Sequence, residues 1–164
     1  MTVSNRWLPP LVTLKDYRGN WDKYIEVVYR CFKSDFIRHS PVFNGKPVCL
    51  KKYPIERGKE ATFWHVVSEG MQEHNRVPDL RRCERIRWPA ALIAEADSPL
   101  VKCWANARRG DKRIVIALND FSYVVVLAVR DPYYLLWTAY CVEQEHSRRK
   151  MENEYKREGP FQKS

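Results

Sequence analysis

A histidine, a run of arginines and two hydroxyls are the side chains through which this chain could do chemistry. His65 stands in TFWHVVSEG, residues 62–70. Imidazole titrates near neutral pH and can act as a general acid or base. Glu69 follows four residues on, and on a helix it would lie beside His65 and orient the ring. The plain alternative is a satisfied core histidine in an apolar run. RRCERIRW, residues 81–88, supplies Arg81, Arg82, Arg85 and Arg87. Guanidinium groups grip phosphate through paired hydrogen bonds, although a solvated basic helix face would read the same way. KCWANARRGDKR, residues 102–113, puts Lys102, Trp104, Asn106 and Arg108 on one side of a strand. That side reads as a basic groove with a stacking platform, or as an edge strand guarded by charge. In YYLLWTAYCVEQEHSRRK, residues 133–150, Tyr134, Leu136, Thr138 and Tyr140 share one face by alternation. Tyr133, Leu135, Trp137, Ala139 and Cys141 form the other, which is expected to be core. The hydroxyls of Thr138 and Tyr140 come where the strand meets a helix carrying Arg148, Arg149 and Lys150, a good place for a site.

Other chemistries lack their residues. GxxxxGK[ST], GxGxxG and HExxH are absent, and six glycines leave little for a phosphate-cradling loop. His39, His65, His74 and His146 are scattered without metal-ligand spacing. The five cysteines are widely spaced, odd in number and form no CxxC pair, which argues against both zinc and a disulfide framework. No cofactor and no metal are expected. The first residues hold no apolar run suited to a signal peptide, and no stretch approaches the roughly 18 apolar residues of a membrane span. These features lead to the expectation of a cytoplasmic protein with reduced thiols and no membrane partner. The chain has 29 Lys plus Arg against 20 Asp plus Glu, a formal charge of +9. Such a balance favours an acidic partner, whether nucleic acid, an anionic membrane surface or an acidic protein, and charge alone does not choose among them.

The elements that must position these groups follow from pattern. The 164 residues suit a single domain, 1–164, with 45% hydrophobic residues for its core. Residues 1–18 read as an irregular lead-in because of Pro9-Pro10. A helix is predicted from Asn20, its N-cap, with Tyr24, Val27, Val28, Cys31 and Phe32 as its buried stripe. PVFNGKPVCLKKYP reads as a hairpin turning at Asn44-Gly45. A short helix over KEATFWHVVSEG, a loop over 71–78, a helix start at DLRRCERIRW and a second piece after Trp88-Pro89 follow. Four strand-like runs, LVKCWANA, RIVIALND, SYVVVLAVR and YYLLWTAYCVE, are joined by short turns. They predict a four-stranded antiparallel meander. A charged helix closes the chain, with 159–164 as a frayed tail. The fold class is α+β: helices first, one antiparallel sheet after, one closing helix.

This order of parts, with Phe63-Trp64-His65, Arg85-Ile86-Arg87-Trp88, Tyr123 to Leu127 and Thr138-Ala139-Tyr140, resembles the nuclease superfamily that groups barnase, EndoU, certain colicins and RelE (BECR). The resemblance is to the phage- and toxin-associated branch in particular, and it spans about residues 60–150. The resemblance implies a toxin-like endoribonuclease that cleaves RNA without metal. The ribose 2′-hydroxyl would attack the adjacent phosphorus. On this reading His65 is the acid or base, and one or two of Arg82, Arg85 and Arg87 stabilise the phosphorane. Thr138 and Tyr140 donate to a phosphate oxygen, or Tyr140 stacks on a base, and Lys102, Trp104, Arg108 and Arg148 hold the strand, with Glu69 beside His65. It also implies a neutralising acidic partner of antitoxin or immunity type. Two alternatives stand beside it: a basic nucleic-acid-binding module without catalysis, and a phage or mobile-element accessory protein that binds an acidic partner.

Overall fold

The computed structural model describes residues 5–69 and 77–163. His74 and residues 71–76 of the loop predicted over 71–78 lie outside the described residues, and Val77 and Pro78 of that loop are a short strand instead. The first long helix, α1 (Trp21–Lys33), starts where Asn20 Oδ1 accepts from the Lys23 amide at 3.2 Å. That bond satisfies one of the amides that a helix start leaves open. Its buried stripe is Tyr24, Ile25, Val28, Tyr29 and Phe32, so Val27 and Cys31 sit at the margin. The lead-in is strapped across this helix. Tyr24 donates to the Val12 carbonyl at 2.7 Å, and Trp88 Nε1 donates to the Pro9 carbonyl at 2.9 Å.

A hairpin follows, β1 (Val42–Phe43) and β2 (Lys46–Cys49), turning through Asn44 and Gly45 at φ 50° and 75°. Next come α2 (Ala61–Val67) and a two-residue ribbon of β3 (Ser68–Glu69) with β4 (Val77–Pro78). Then α3 (Leu80–Glu84) and α4 (Trp88–Ala94) form, with Pro89 in the first turn of α4, where its missing N–H costs nothing. Asp79 caps α3 through the amides of Arg81 and Arg82, at 2.8 and 3.3 Å.

The C-terminal half supplies β5 (Val101–Arg108), β6 (Asp111–Leu118), β7 (Tyr123–Val129) and β8 (Tyr134–Cys141), then α5 (Glu145–Glu158). The chain is α+β, but the sheet is not the predicted four-stranded antiparallel one. It has six strands in the order β1-β2-β8-β7-β6-β5, and β2 runs parallel to β8 at Val48–Tyr134 and Cys49–Leu135. Local turn chemistry fixed the antiparallel neighbours. The parallel contact depends on a hairpin more than 80 residues away in sequence, which no local pattern encodes.

Both faces of the sheet are covered, as the apolar β6 and β7 require. The main core packs α1, α2 and α4 against Ile114, Ile116, Leu118, Tyr123, Val125 and Leu127. A smaller core on the opposite face gathers Trp104, Val115, Ala117, Phe121, Val124 and Val142 beneath Met151 and Tyr155 of α5. The tail is not frayed. The Phe161 amide donates to the Cys103 carbonyl at 2.7 Å, its ring lies 5.2 Å from that of Phe43, and Lys163 pairs with Asp97. Phe161 thus touches both outermost strands of the sheet.

One irregularity sets the site. Leu136 lies opposite Leu127 and Thr138 opposite Val126, leaving Trp137 as the extra residue of a β-bulge. Simple alternation along β8 therefore fails at this point. Tyr134, Leu136 and Ala139 enter the main core, while Thr138 and Tyr140 turn to the other face together with Trp137. The predicted apolar face of Trp137, Ala139 and Cys141 is thus divided by the bulge.

Candidate active site

The groove between the sheet and α5 is built by register. Trp104, Val115, Val126 and Thr138 are successive cross-strand partners from β5 to β8, and Lys102, Ala117, Val124 and Tyr140 form the next row. Two intervening strands thus carry the basic strand's face to that of the two hydroxyls. Past these rows the floor opens into a cavity of about 460 Å³. Asn106 and Arg108 of β5, Arg113 of β6, and Trp137, Thr138 and Tyr140 of β8 line it. α5 walls it with Ser147, Lys150, Met151 and Glu154, one stripe at three- and four-residue spacing.

The wall is pinned by a carboxylate. Glu154 Oε2 accepts from Trp104 Nε1 at 2.6 Å and from Asn106 Nδ2 at 3.1 Å. Trp104 is 0% exposed, with Tyr155 packed on its ring at 5.5 Å. It is therefore no exposed stacking platform. The closing helix lands on it, and its N–H orients the acid instead. Trp137 and Tyr140 are the aromatic side chains that face the cavity among the described residues. The Arg113 guanidinium lies 5.3 Å from the Trp137 ring centre. Among the described residues, Arg108 and Lys150 have no carboxylate partner within ion-pair distance. Asn106 Oδ1 is buried without a hydrogen-bond partner, a condition buried polar atoms rarely keep unless something else fills it, and Arg113 Nε makes no hydrogen bond but has the Asp111 carboxylate at 3.7 Å.

His65 is 9% exposed, and its ring stands 5.9 Å from the Trp137 ring, tilted at 66°. It does not line the cavity. Its carbonyl makes the contacts: Thr138 Oγ1 donates to it at 3.2 Å and Arg82 Nη1 at 3.4 Å. Arg82 Nη1 also donates to the Ser68 carbonyl at 2.8 Å. Thr138 and Arg82 therefore satisfy carbonyls at the end of α2 that have no helical partner. The Arg82 guanidinium lies 5.6 Å from the Tyr140 ring centre, and Tyr140 separates it from the groove. Burial raises the Tyr140 phenol above its ordinary range, against the opposing charges of Arg108, Arg82 and Arg113.

The other predicted residues stand elsewhere. Glu69 is not stacked on His65, because α2 ends at Val67 and Glu69 belongs to β3. Its carboxyl shares a hydrogen bond with Asp79, which together with that neighbour's charge raises its pKa. Burial works against ionisation of Asp79, but the bond with Glu69 and the amides of Arg82 and Arg81 outweigh it and hold its carboxyl low. Arg85 is the C-cap of α3 and lines a cleft with Arg81 on the far side of Cys141 from the groove's floor, not the groove itself. It packs over Trp88 at 5.0 Å and donates to the Arg81 carbonyl. Arg87 pairs with Asp35 at 3.3 Å. The Lys102 ammonium lies 5.6 Å from the Tyr155 ring centre, and Arg148 Nε donates to the Val142 carbonyl at 2.7 Å.

Of the predicted residues, Arg108, Thr138 and Tyr140 line the groove. Arg113, Trp137, Lys150 and Glu154 were not selected as site residues. The two-residue turn at Arg109-Gly110 pairs Asn106 with Arg113, and the stripe on α5 groups Lys150 with Glu154, so both signals were in the sequence. Nothing local announced the bulge at Trp137. Among the described residues, no group of three or more His, Cys, Asp or Glu side chains could hold a metal ion, and no helix is long and apolar enough to cross a membrane. No family model, no curated protein and no solved structure matches this chain.

Proposed function

We propose that the groove binds single-stranded RNA and cleaves it by attack of a ribose 2′-hydroxyl on the adjacent phosphate, as a cytoplasmic, toxin-like endoribonuclease. The observation that carries this reading is a concave site holding Arg108, Arg113 and Lys150 beside one oriented carboxylate, Glu154. Three cations suit a phosphodiester and the extra charge of its phosphorane. Glu154, fixed by Trp104 and Asn106, is the general base that takes the 2′-hydroxyl proton. The P–O5′ bond breaks as the 2′-oxygen bonds to phosphorus, leaving a 2′,3′-cyclic phosphate.

Tyr140 donates its proton to the leaving 5′-oxygen. Burial, with the Glu154 carboxylate, keeps the phenol protonated beforehand, and Arg108, Arg82 and Arg113 offset part of the cost of the phenolate left behind. Trp137 offers a surface for a base. Thr138 and Arg82 act behind the site, holding the end of α2, and His65 supports Trp137. An enzyme of this kind endangers its host, so an acidic protein covering the cationic groove is the expected partner.

The test is cleavage of single-stranded RNA by the purified protein in EDTA. The expected result is 2′,3′-cyclic phosphate ends, with a loss of about 100-fold or more in Glu154→Gln. The packing of the His65 imidazole outside the groove favours a second reading, a nucleic-acid-binding module without catalysis. Salt-dependent RNA binding with no cut product selects that one.

A further inference from the structure

The cations extend past the groove. At the turn end of β5 and β6, Asp111 lies between two arginines: Arg130 Nη1 is 2.9 Å from Oδ1 and Arg113 Nε is 3.7 Å from Oδ2. Arg108 is the cross-strand partner of Asp111 but makes no ion pair with it. Arg109 occupies the turn itself, exposed, with no partner among the described residues. Its φ is 51° and that of Gly110 is 79°. A two-residue hairpin turn asks for positive φ at both positions, and Gly or Asn meets that demand with least strain. Arg18-Gly19 and Arg57-Gly58 turn with the same pair of positive φ angles, so what distinguishes Arg109 is its place, an exposed cation at the tip of the hairpin whose strands carry Arg108 and Arg113 into the groove. Two guanidiniums thus pair with Asp111, two more belong to the neighbouring residues Arg108 and Arg109, and of the four Arg109 and Arg130 do not line the cavity.

We infer that Arg109 and Arg130, next to Arg108, form a second phosphate subsite for the nucleotide flanking the cleaved linkage. The inference rests on reading the groove as an RNA site, and it deepens that reading by making the substrate a polynucleotide. Guanidinium forks match phosphate oxygens in pairs. The subsite is continuous with the groove through Arg108 and Arg113, so one unpaired strand can lie across both. A dinucleotide fills the groove and leaves the subsite idle. A longer strand engages both and releases more counterions on binding.

The experiment compares wild type, Arg109→Gly and Arg130→Ala on a labelled uridine dinucleotide and on a longer oligouridylate. Glycine at 109 suits the positive φ, so that variant keeps the hairpin. For the longer strand, the slope of log affinity on log salt is expected to shrink by about 0.7 for each cation removed, and KM is expected to rise several-fold with kcat unchanged. The dinucleotide constants are expected to stay at wild-type values. Wild-type slope and KM for the longer strand in both variants would overturn the subsite while leaving the ribonuclease reading intact. Variant-dependent slopes from a protein that never cuts RNA would keep the subsite and remove the ribonuclease reading. Failure of the wild-type protein to bind either length would remove both.

Discussion

The Thr138 hydroxyl donates to the main-chain carbonyl of His65 at 3.2 Å, joining the last strand to the end of α2. β8 pairs with β2 only as far as Leu135, so past that point its outer edge meets a helix rather than a strand. Side chains must then supply the hydrogen bonds that a neighbouring strand would give. Replacing the hydroxyl without changing shape isolates this bond. Thr138→Val is expected to lose about 1 kcal/mol of stability, the usual net worth of one such bond, and Thr138→Ser only a few tenths. Urea unfolding midpoints check this, and equal midpoints for wild type and Thr138→Val would refute it.

Trp137 is partly exposed in the groove and carries little of the core. Trp137→Ala is expected to keep the wild-type circular dichroism spectrum while weakening single-stranded RNA binding by about 1–3 kcal/mol, the range for one stacked base. Fluorescence anisotropy at fixed salt reads the change. An unchanged dissociation constant would remove Trp137 from the binding surface.

The Glu69–Asp79 pair makes a titration prediction. Glu69 is raised, so its contribution to stability is present while it is protonated and is lost as pH rises through the raised value. Asp79 is lowered, so its contribution is present above the ordinary carboxylate range and is lost as pH falls through the lowered value. The two slopes oppose each other in the acid range. Asp79→Asn keeps a good helix cap but removes the charge, and it is expected to bring the Glu69 midpoint down towards that of a free glutamate. Carbon-detected NMR titration of the Glu69 carboxyl group measures it; a midpoint that does not move would show that Asp79 is not the cause.

Phe161 tests whether the tail is part of the fold. Its ring lies against Phe43 and its amide bonds to Cys103. Phe161→Ala is expected to cost about 1–2 kcal/mol, a part of the value for a fully buried aromatic because the ring stays partly exposed. An unchanged thermal midpoint would return residues 159–163 to the status of a loose end.

The parts of this molecule that were legible in the sequence are those fixed locally. Asn20 and the spacing of Tyr24, Val28 and Phe32 specify α1. Asn44-Gly45 and Arg109-Gly110 specify two hairpins, and the latter sets which residues of β5 and β6 face the groove. The parts that were not legible depend on distant contacts. The polar neighbours Lys102, Asn106 and Arg108 made Trp104 look exposed, yet α5, some 50 residues later, lands on it. Alternation along β8 gave Thr138 and Tyr140 a common face correctly. It misplaced Trp137, because a single inserted residue reverses every side chain beyond it. The neighbourhood of His65, Arg82, Thr138 and Tyr140 was anticipated, but the His65 carbonyl makes the bonds there, a distinction residue types do not carry.

The most direct measurement uses one RNA strand in two versions, with the 2′-hydroxyl present or removed at a single preferred cleavage position, incubated with wild-type protein in EDTA. If Glu154 and the groove cations act as described, the first version is cut there to a 2′,3′-cyclic phosphate, and the deoxy version binds equally well but stays whole at that position. Equal cutting of both versions would mean that the 2′-hydroxyl is not the nucleophile. No cutting of either, with binding retained, would leave only a cationic groove for single strands.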